Sequence, residues 1–168
     1  METEIKILEI DVQAVTSTLE RLGARKISDG VVNSVFFDRE RSLRDSGVVL
    51  RARSSGDGCT LTVGVLLDTD GYKQSEEYEF SGSFDDALAA LRALGFEEYA
   101  RSEKHRISYA YGAVRVDIDR LLDHTFVPPF LEIEGEPDAI DEAVERFELA
   151  DHRRVTWTGK QVIEHYRR

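Results

Sequence analysis

The sequence is poor in residues that staple or stiffen a chain. It holds one cysteine, three prolines, one methionine and one tryptophan among 168 residues. The lone Cys59 cannot form an internal disulfide, and no partner motif marks it as a metal-binding or catalytic thiol. A disulfide scaffold is therefore excluded, and a cytoplasmic location is expected. No apolar run is long enough to span a bilayer, and charges stand near the start where a secretory leader would carry its apolar segment. Lysine is scarce too, five residues against seventeen arginines, and both are outnumbered by 33 acidic residues for a formal net charge of -11. That balance argues against nonspecific binding to a nucleic-acid duplex. It leaves room for a local basic cavity, because a field depends on how charges are arranged.

What is present suits one globular domain over residues 1–168, with 41% hydrophobic residues available for its core. Glu2 to Ile10 alternates polar and apolar, which predicts a strand. Asp11 opens a helical pattern through Val12, Val15, Leu19 and Leu22, and Gly23 stops it. Strand patterns follow at Val31–Asp38, Val48–Ser54, Thr60–Leu67 and Tyr72–Phe80. Turns are expected at Gly56-Asp57-Gly58 and Asp68-Thr69-Asp70-Gly71. Ser83 caps a second helix whose buried face is Phe84, Ala87, Leu88, Leu91 and Leu94, with Gly95 at its end. Further strands are read at Glu98–Ala110, Ala113–Arg120 and Phe130–Gly135, then a helix to Phe147 and a short one from Gly159. Leu19-Glu20-Arg21-Leu22-Gly23 echoes Leu91-Arg92-Ala93-Leu94-Gly95, which suggests two similar halves contributing to one sheet system.

The informative feature is charge at alternate strand positions. Period two places Glu2, Glu4 and Lys6 together, then Arg51 with Arg53, and Lys73 with Glu77 and Glu79. It also aligns Lys104 with Arg106, Arg115 with Asp117 and Asp119, and Glu132 with Glu134. The intervening residues, such as Ile5, Val116, Ile118, Leu131 and Ile133, are apolar. An ordinary amphipathic sheet with its charges in water explains any one strand. Six such strands point instead to a barrel whose greasy outer faces carry helices and whose ionic faces converge on a solvated lumen. Arginine and lysine there suit phosphate oxygens, and carboxylate pairs suit Mg²⁺ or Mn²⁺, so a metal-bound polyphosphate satisfies both sets.

An ordered set of motifs along nearly the whole chain carries a family resemblance. Glu2-Thr3-Glu4-Ile5-Lys6 is similar to the ExExK signature of the CYTH domain, or triphosphate tunnel metalloenzyme, family. The similarity continues through Phe36-Phe37-Asp38, Leu50-Arg51-Ala52-Arg53, Glu77-Tyr78-Glu79, Lys104-His105-Arg106, Val116-Asp117-Ile118-Asp119 and Phe130-Leu131-Glu132-Ile133-Glu134. The resemblance implies an α+β fold, an eight-stranded antiparallel β-barrel (tunnel) with helices packed outside, acting on triphosphates with a divalent metal. By resemblance, Glu2, Glu4, Glu132 and Glu134 bind metal, and Asp117 or Asp119 completes or orients the site. Arg51, Arg53, Lys104 and Arg106 map to phosphate-binding positions; Lys73 and Arg115, on the same charged faces, join them as expected substrate contacts. Lys6 would contact phosphate or help activate the nucleophile, and Lys6 and Arg53 are the expected catalytic residues. Two positions depart from the family pattern. Gly64 stands where many members carry lysine, and Ser75 where arginine is common, with Lys73 the candidate to compensate.

The reading favoured by this resemblance is a class IV adenylate-cyclase-like enzyme making cyclic AMP and pyrophosphate from ATP. A triphosphatase acting on a nucleoside, thiamine or inorganic triphosphate needs the same equipment. A catalytically weak triphosphate sensor is the third reading, prompted by Gly64 and Ser75. A homodimer is compatible with the sequence. Tyr72, Tyr78, Tyr109 and Tyr111 are candidate base platforms, although tyrosine is common in strands without that role. His105 alternates away from the charged face, and Thr158-Gly159-Lys160 lacks the upstream glycines of a P-loop and reads as the start of a terminal helix.

Overall fold

A computed structural model describes residues 1–56, 58–67 and 71–167. The two expected glycine-aspartate turns include Asp57 and residues 68–70, which lie outside the described residues. The strands are β1 (Glu2–Ile7), β2 (Arg25–Asp38), β3 (Val48–Ser55), β4 (Gly58–Leu67), β5 (Lys73–Gly82), β6 (Glu97–Tyr111), β7 (Val114–Leu121), β8 (Phe130–Glu134) and β9 (Arg154–Val155). Interleaved with them are helices α1 (Val12–Arg21), α2 (Ser42–Asp45), α3 (Phe84–Ala93), α4 (Pro137–Arg146) and α5 (Gly159–Tyr166). The sheet runs β5-β4-β3-β2-β6-β7-β8-β1 and closes through a β1–β5 pairing, so eight antiparallel strands form a barrel. The two-residue β9 pairs with β1 at Lys6 and Ile7, beyond the Glu2–Glu4 stretch that pairs with β5.

Alternation decides which side of the wall each residue joins. Ile5, Ile7, Val116, Ile118, Leu131 and Ile133 face outward and pack with Val15 and Leu19 of α1, with Ile140 and Val144 of α4, and with Phe147 just after it. Val35, Phe37, Leu50 and Ala52 form a second outer cluster beneath Leu88 and Leu91 of α3. Apolar burial therefore lies between wall and helices, which leaves the lumen to the polar partners of the same strands.

A third apolar cluster lies at one end of the barrel, on its β1, β7 and β8 side. Leu8, Leu121 and Phe130 continue the inward-facing rows of β1, β7 and β8, and they pack with Val127, Val155 and Val162 of α5. α5 starts at a capping box in which Thr158 accepts from Gln161 N and the Gln161 side chain accepts from Thr158 N. Tyr166 ties its last turn to Glu9 with a 2.8 Å hydrogen bond. The opposite end, where β3 ends and β4 begins, is the mouth.

Several local differences from the sequence reading have physical causes. β1 stops at Ile7 because Glu9 turns to φ 58 and Asp11 caps α1, accepting from Gln13 N and Ala14 N at 2.9 and 3.0 Å. β2 begins at Arg25 instead of Val31: its first residues pair with β6 but not β3, so no second neighbour imposes apolar alternation. The short α2 was not anticipated, because Asp38 organises it from outside the helix. Burial would raise the Asp38 carboxyl, but hydrogen bonds from Arg44 and the Leu43, Arg39 and Arg44 amides outweigh this and hold it at about 2.

The echoed pentads turn out to be two copies of one helix ending. In each, the leucine amide bonds four residues back, the glycine three back and the next residue five back. Gly23 and Gly95 take φ 79 and 81, as this Schellman-type stop requires. The end of α4 repeats the pattern at Phe147, Glu148 and Leu149, with Glu148 at φ 61 and no glycine. A Cβ at Gly95 would meet no atom within 4 Å, so substitution there tests backbone strain alone. Gly95→Ala is expected to lower unfolding free energy by about 1 kcal/mol, and Gly95→Asn by less, measured by urea denaturation.

Candidate functional site

The lumen is lined by the alternating charges that the sequence places on strand faces. From β1 come Glu2, Glu4 and Lys6; from β8, Glu132 and Glu134; from β7, Arg115, Asp117 and Asp119. β6 supplies Lys104, Arg106 and Ser108, β3 supplies Arg51 and Arg53, and β5 supplies Lys73, Ser75, Glu77 and Glu79. Strand parity thus turns every sequence-predicted site residue to the lumen side of the sheet, with Arg115 half-exposed.

Around Arg106 the lattice is dense. Its Nε and Nη2 donate to Asp119 at 2.6 Å each, its Nη1 donates to Asp117 at 2.5 Å, and its Nη2 also bonds Glu132. Lys104 donates to the same Asp119 at 2.5 Å. Asp119 is fully buried, so it depends on this bidentate pairing. Burial alone would depress the Arg106 guanidinium and raise the Glu132 carboxyl. Glu132, Asp119 and Asp117 hold Arg106 above its usual range, and Arg106, Lys104 and Lys6 hold Glu132 well below its own. Lys104 moves the other way: burial and the neighbouring Arg106 depress its ammonium despite Asp119.

Beside it, Lys6 is buried and donates to Glu4 at 2.5 Å, with Glu132 at 3.3 Å. Burial opposes its charge, but the two carboxylates prevail and keep the ammonium protonated. Lys73 reaches across the β1–β5 seam to Glu4 at 3.1 Å. It pairs there instead of with Glu77, whose cation partner among the described residues is Arg51 at 3.7 Å. Both departures from the family pattern border that carboxylate: a Cβ on Gly64 would lie 3.5 Å from Glu77 Oε1, and Ser75 Oγ donates to Glu77 at 3.3 Å.

Two arginines are left short of partners. Arg51 has Glu77 at 3.7 Å and Thr62 Oγ1 at 3.5 Å, and Arg53 has no carboxylate partner among the described residues. The Nε atoms of both are buried without an acceptor. Burial, followed by the like charge of Arg53, pulls Arg51 down to about 10. Unsatisfied donors of this kind call for an anion. Arg53 opens onto a cavity of about 210 Å³ at the mouth, lined also by Ser55, Gly58, Cys59, Thr60, Ser81 and Gly82.

The acidic counterpart is the group Glu2, Glu4, Glu77 and Glu134. Glu2 is pushed up to about 7 by burial, then by Glu77, Glu134 and Glu4. Glu134 is raised by burial and by Glu4, Asp117 and Glu132, although Arg115 pulls it down. Glu4 and Glu134 stand opposite each other in the β1–β8 register. These oxygens are the donor type a hard divalent cation takes, and the raised Glu2 and Glu134 record a shortage of positive charge. The donor chemistry fits such an ion. Among the described residues, however, no three histidine, cysteine or carboxylate side chains converge as a ready ligand set.

Sequence reasoning had not counted Glu77, Glu79 and Thr62 among the site residues. Thr62 Oγ1 bonds Glu79 at 3.1 Å, and the parity that selected Lys73 on β5 also selects both glutamates. The tyrosines lie outside the lumen. Tyr109 is buried in the outer cluster, Tyr111 packs on Phe147 at 5.2 Å, Tyr78 is exposed, and Tyr72 bonds Asp141 of α4 at 2.8 Å. His105 also faces away, 3.0 Å from Asp29.

Comparison with known proteins agrees with this geometry. The sequence profile of the CYTH domain matches residues 1–165. No curated protein matches by sequence. A Pyrococcus horikoshii protein superposes with TM-score 0.80 at 22% identity, over 98% of both chains. A Vibrio parahaemolyticus protein provisionally named an adenylate cyclase gives 0.79 at 17%, over 97% of both. A Hippeastrum protein, provisionally named an adenylyl cyclase and described as having a dominant triphosphatase activity, gives 0.71 at 16%, over 98% of this chain and 96% of that one. At these identities the superpositions speak to fold.

The raised Glu2 carboxyl has a measurable consequence. Its folded value of about 7 exceeds the ordinary 4.5, so ionising it costs stability as pH rises between those values, and the full cost is present above 7. Glu2→Gln is expected to raise the melting temperature of metal-free protein at pH 8, with the gain fading toward pH 4.5. A gain independent of pH would contradict this account.

Proposed function

Because this chain belongs to the CYTH domain family, we propose that its lumen is a triphosphate site and that the protein is a metal-dependent triphosphatase. The observation that carries the proposal is the pair of buried, acceptor-less Nε donors on Arg51 and Arg53, facing a lumen whose other cations are largely paired with carboxylates. They offer planar donor arrays to phosphate oxygens, with only Glu77 at 3.7 Å beside Arg51 and no carboxylate partner for Arg53 among the described residues.

The choice of hydrolysis over cyclisation rests on the mouth. Its cavity is lined by hydroxyls, glycines, the Cys59 thiol and a guanidinium, with no aromatic ring among the lining residues. Such walls suit phosphate oxygens and water better than they suit a purine held for attack by its own ribose hydroxyl. The Hippeastrum protein is an instance of hydrolysis ascribed to this fold.

Glu2, Glu4, Glu132 and Glu134 are the residues that would hold a divalent cation. When bound, the cation supplies neutralisation of the phosphate oxygens and a template for in-line displacement. The chain's own groups do the rest. Arg51, Arg53, Lys104 and Arg106 bind the phosphate chain, and the Lys6 ammonium stays charged, so it serves as an electrostatic stabiliser instead of a base. Water attacks the terminal phosphorus, the bridging P–O bond breaks, and orthophosphate and the shortened phosphate leave, the water's proton passing to solvent or a carboxylate.

Product analysis tests the proposal across ATP, GTP, thiamine triphosphate and tripolyphosphate with Mg²⁺ or Mn²⁺. Orthophosphate without cyclic nucleotide is expected, and Arg53→Ala should lower kcat/KM by roughly 10²-fold. Cyclic AMP with pyrophosphate would replace this reading with a cyclase. Binding without turnover would replace it with a sensor.

A further inference from the structure

The carboxylates that would hold a metal and the cations that would hold phosphates are, in this structure, holding each other. Glu4 is gripped by Lys6 at 2.5 Å and Lys73 at 3.1 Å; Glu132 lies 3.3 Å from Lys6 and bonds Arg106. This mutual engagement explains why no ready ligand set appears despite so many carboxylates. From this geometry we infer an ion-pair exchange that couples the two ligands: each takes a partner that the other leaves without a counter-charge. The inference rests on the lumen being a triphosphate site, and it adds how that site is loaded.

A cation that takes Glu4 and Glu132 strands Lys6 and Lys73 and removes one of Arg106's partners. A phosphate chain that takes those cations strands Glu4 and Glu132. Either ligand alone exchanges satisfied buried pairs for unpaired buried charge, which is costly. Both together leave every group paired. Arg106 keeps its place throughout, because the fully buried Asp119 holds its guanidinium by two bonds of 2.6 Å. Arg53, with no carboxylate partner among the described residues, stands outside the exchange and serves as its internal control. The coupling must be reciprocal, since the same free energy links either order of binding.

The test measures Mn²⁺ alone binding to phosphate-free, full-length protein, by paramagnetic resonance. Lys73→Met is expected to tighten Mn²⁺ binding by roughly tenfold, because Glu4 is freed from one cation it would otherwise have to leave. Arg53→Met removes the same unit of charge without breaking a pair, so its effect should stay within roughly threefold. Equal effects from the two variants would overturn the exchange, since loss of positive charge alone would then suffice. In the reciprocal arm, tripolyphosphate is titrated calorimetrically into metal-free protein. Glu132→Gln should tighten binding, while Glu79→Gln, whose side chain is bonded by Thr62 and pairs with no cation among the described residues, should change it little. If Lys73→Met fails to fold by circular dichroism, Lys73→Gln asks the same question. Should wild-type protein bind tripolyphosphate neither metal-free nor with Mn²⁺, the triphosphate reading fails and takes the exchange with it. Should it bind while the Lys73 and Arg53 variants respond alike, only the exchange fails.

Discussion

A carboxylate or ammonium withdrawn from water loses several kcal/mol of hydration unless a counter-charge or hydrogen bonds replace it. That constraint governs this barrel. Each strand contributes an apolar face to the outer clusters, and the same alternation sends its charged residues inward, where they must find one another. Asp119, fully buried, meets the requirement through Arg106 and Lys104; Lys6 meets it through Glu4 and Glu132. Where the matching is incomplete, at Arg51 and Arg53 on one side and Glu2 and Glu134 on the other, the lumen carries an unmet demand for an anion and for a cation.

The wall was legible in the sequence because a closed sheet obeys one rule for all its strands. Once Ile5 is assigned outward, Glu4 and Lys6 must face inward, and the same parity recovers Asp117 and Asp119, Glu132 and Glu134, and Arg51 and Arg53. Pairwise matching was not legible. Nothing in the spacing of Lys73 indicates that its ammonium crosses the seam to Glu4 and leaves Glu77 to Arg51 and Ser75. That outcome depends on the stagger of β1 against β5, which three residue pairs fix. Elements whose cause lies elsewhere in the chain also escaped notice. α2 is organised by Asp38 from outside the helix, and β9 exists because β1 leaves Lys6 and Ile7 unpaired on the edge that β5 uses earlier.

Gly64 and Ser75 show how two neutral residues at one place leave a local charge imbalance. Both positions border Glu77, and with neither lysine nor arginine there this part of the wall stays acidic, which contributes to the raised Glu2. The opposite wall keeps Arg106, Lys104, Arg51 and Arg53. The lumen is therefore polarised across its width, with guanidinium and ammonium groups on the β3–β6 side and carboxylates concentrated on the β1–β5 side. A ligand carrying phosphate oxygens on one flank and a coordinated cation on the other matches that asymmetry.

The apolar cluster of Leu8, Leu121, Phe130 and Val162 ends the inward-facing charged rows of β1, β7 and β8 at one end of the barrel. On those strands charged side chains face the lumen only between that cluster and the end that carries Arg53. Under the proposed hydrolysis the two fragments would face unlike surroundings, the one nearer Arg53 polar walls and the one nearer the cluster apolar side chains. The first would then leave ahead of the second, and at high concentration it would slow the departure of its partner.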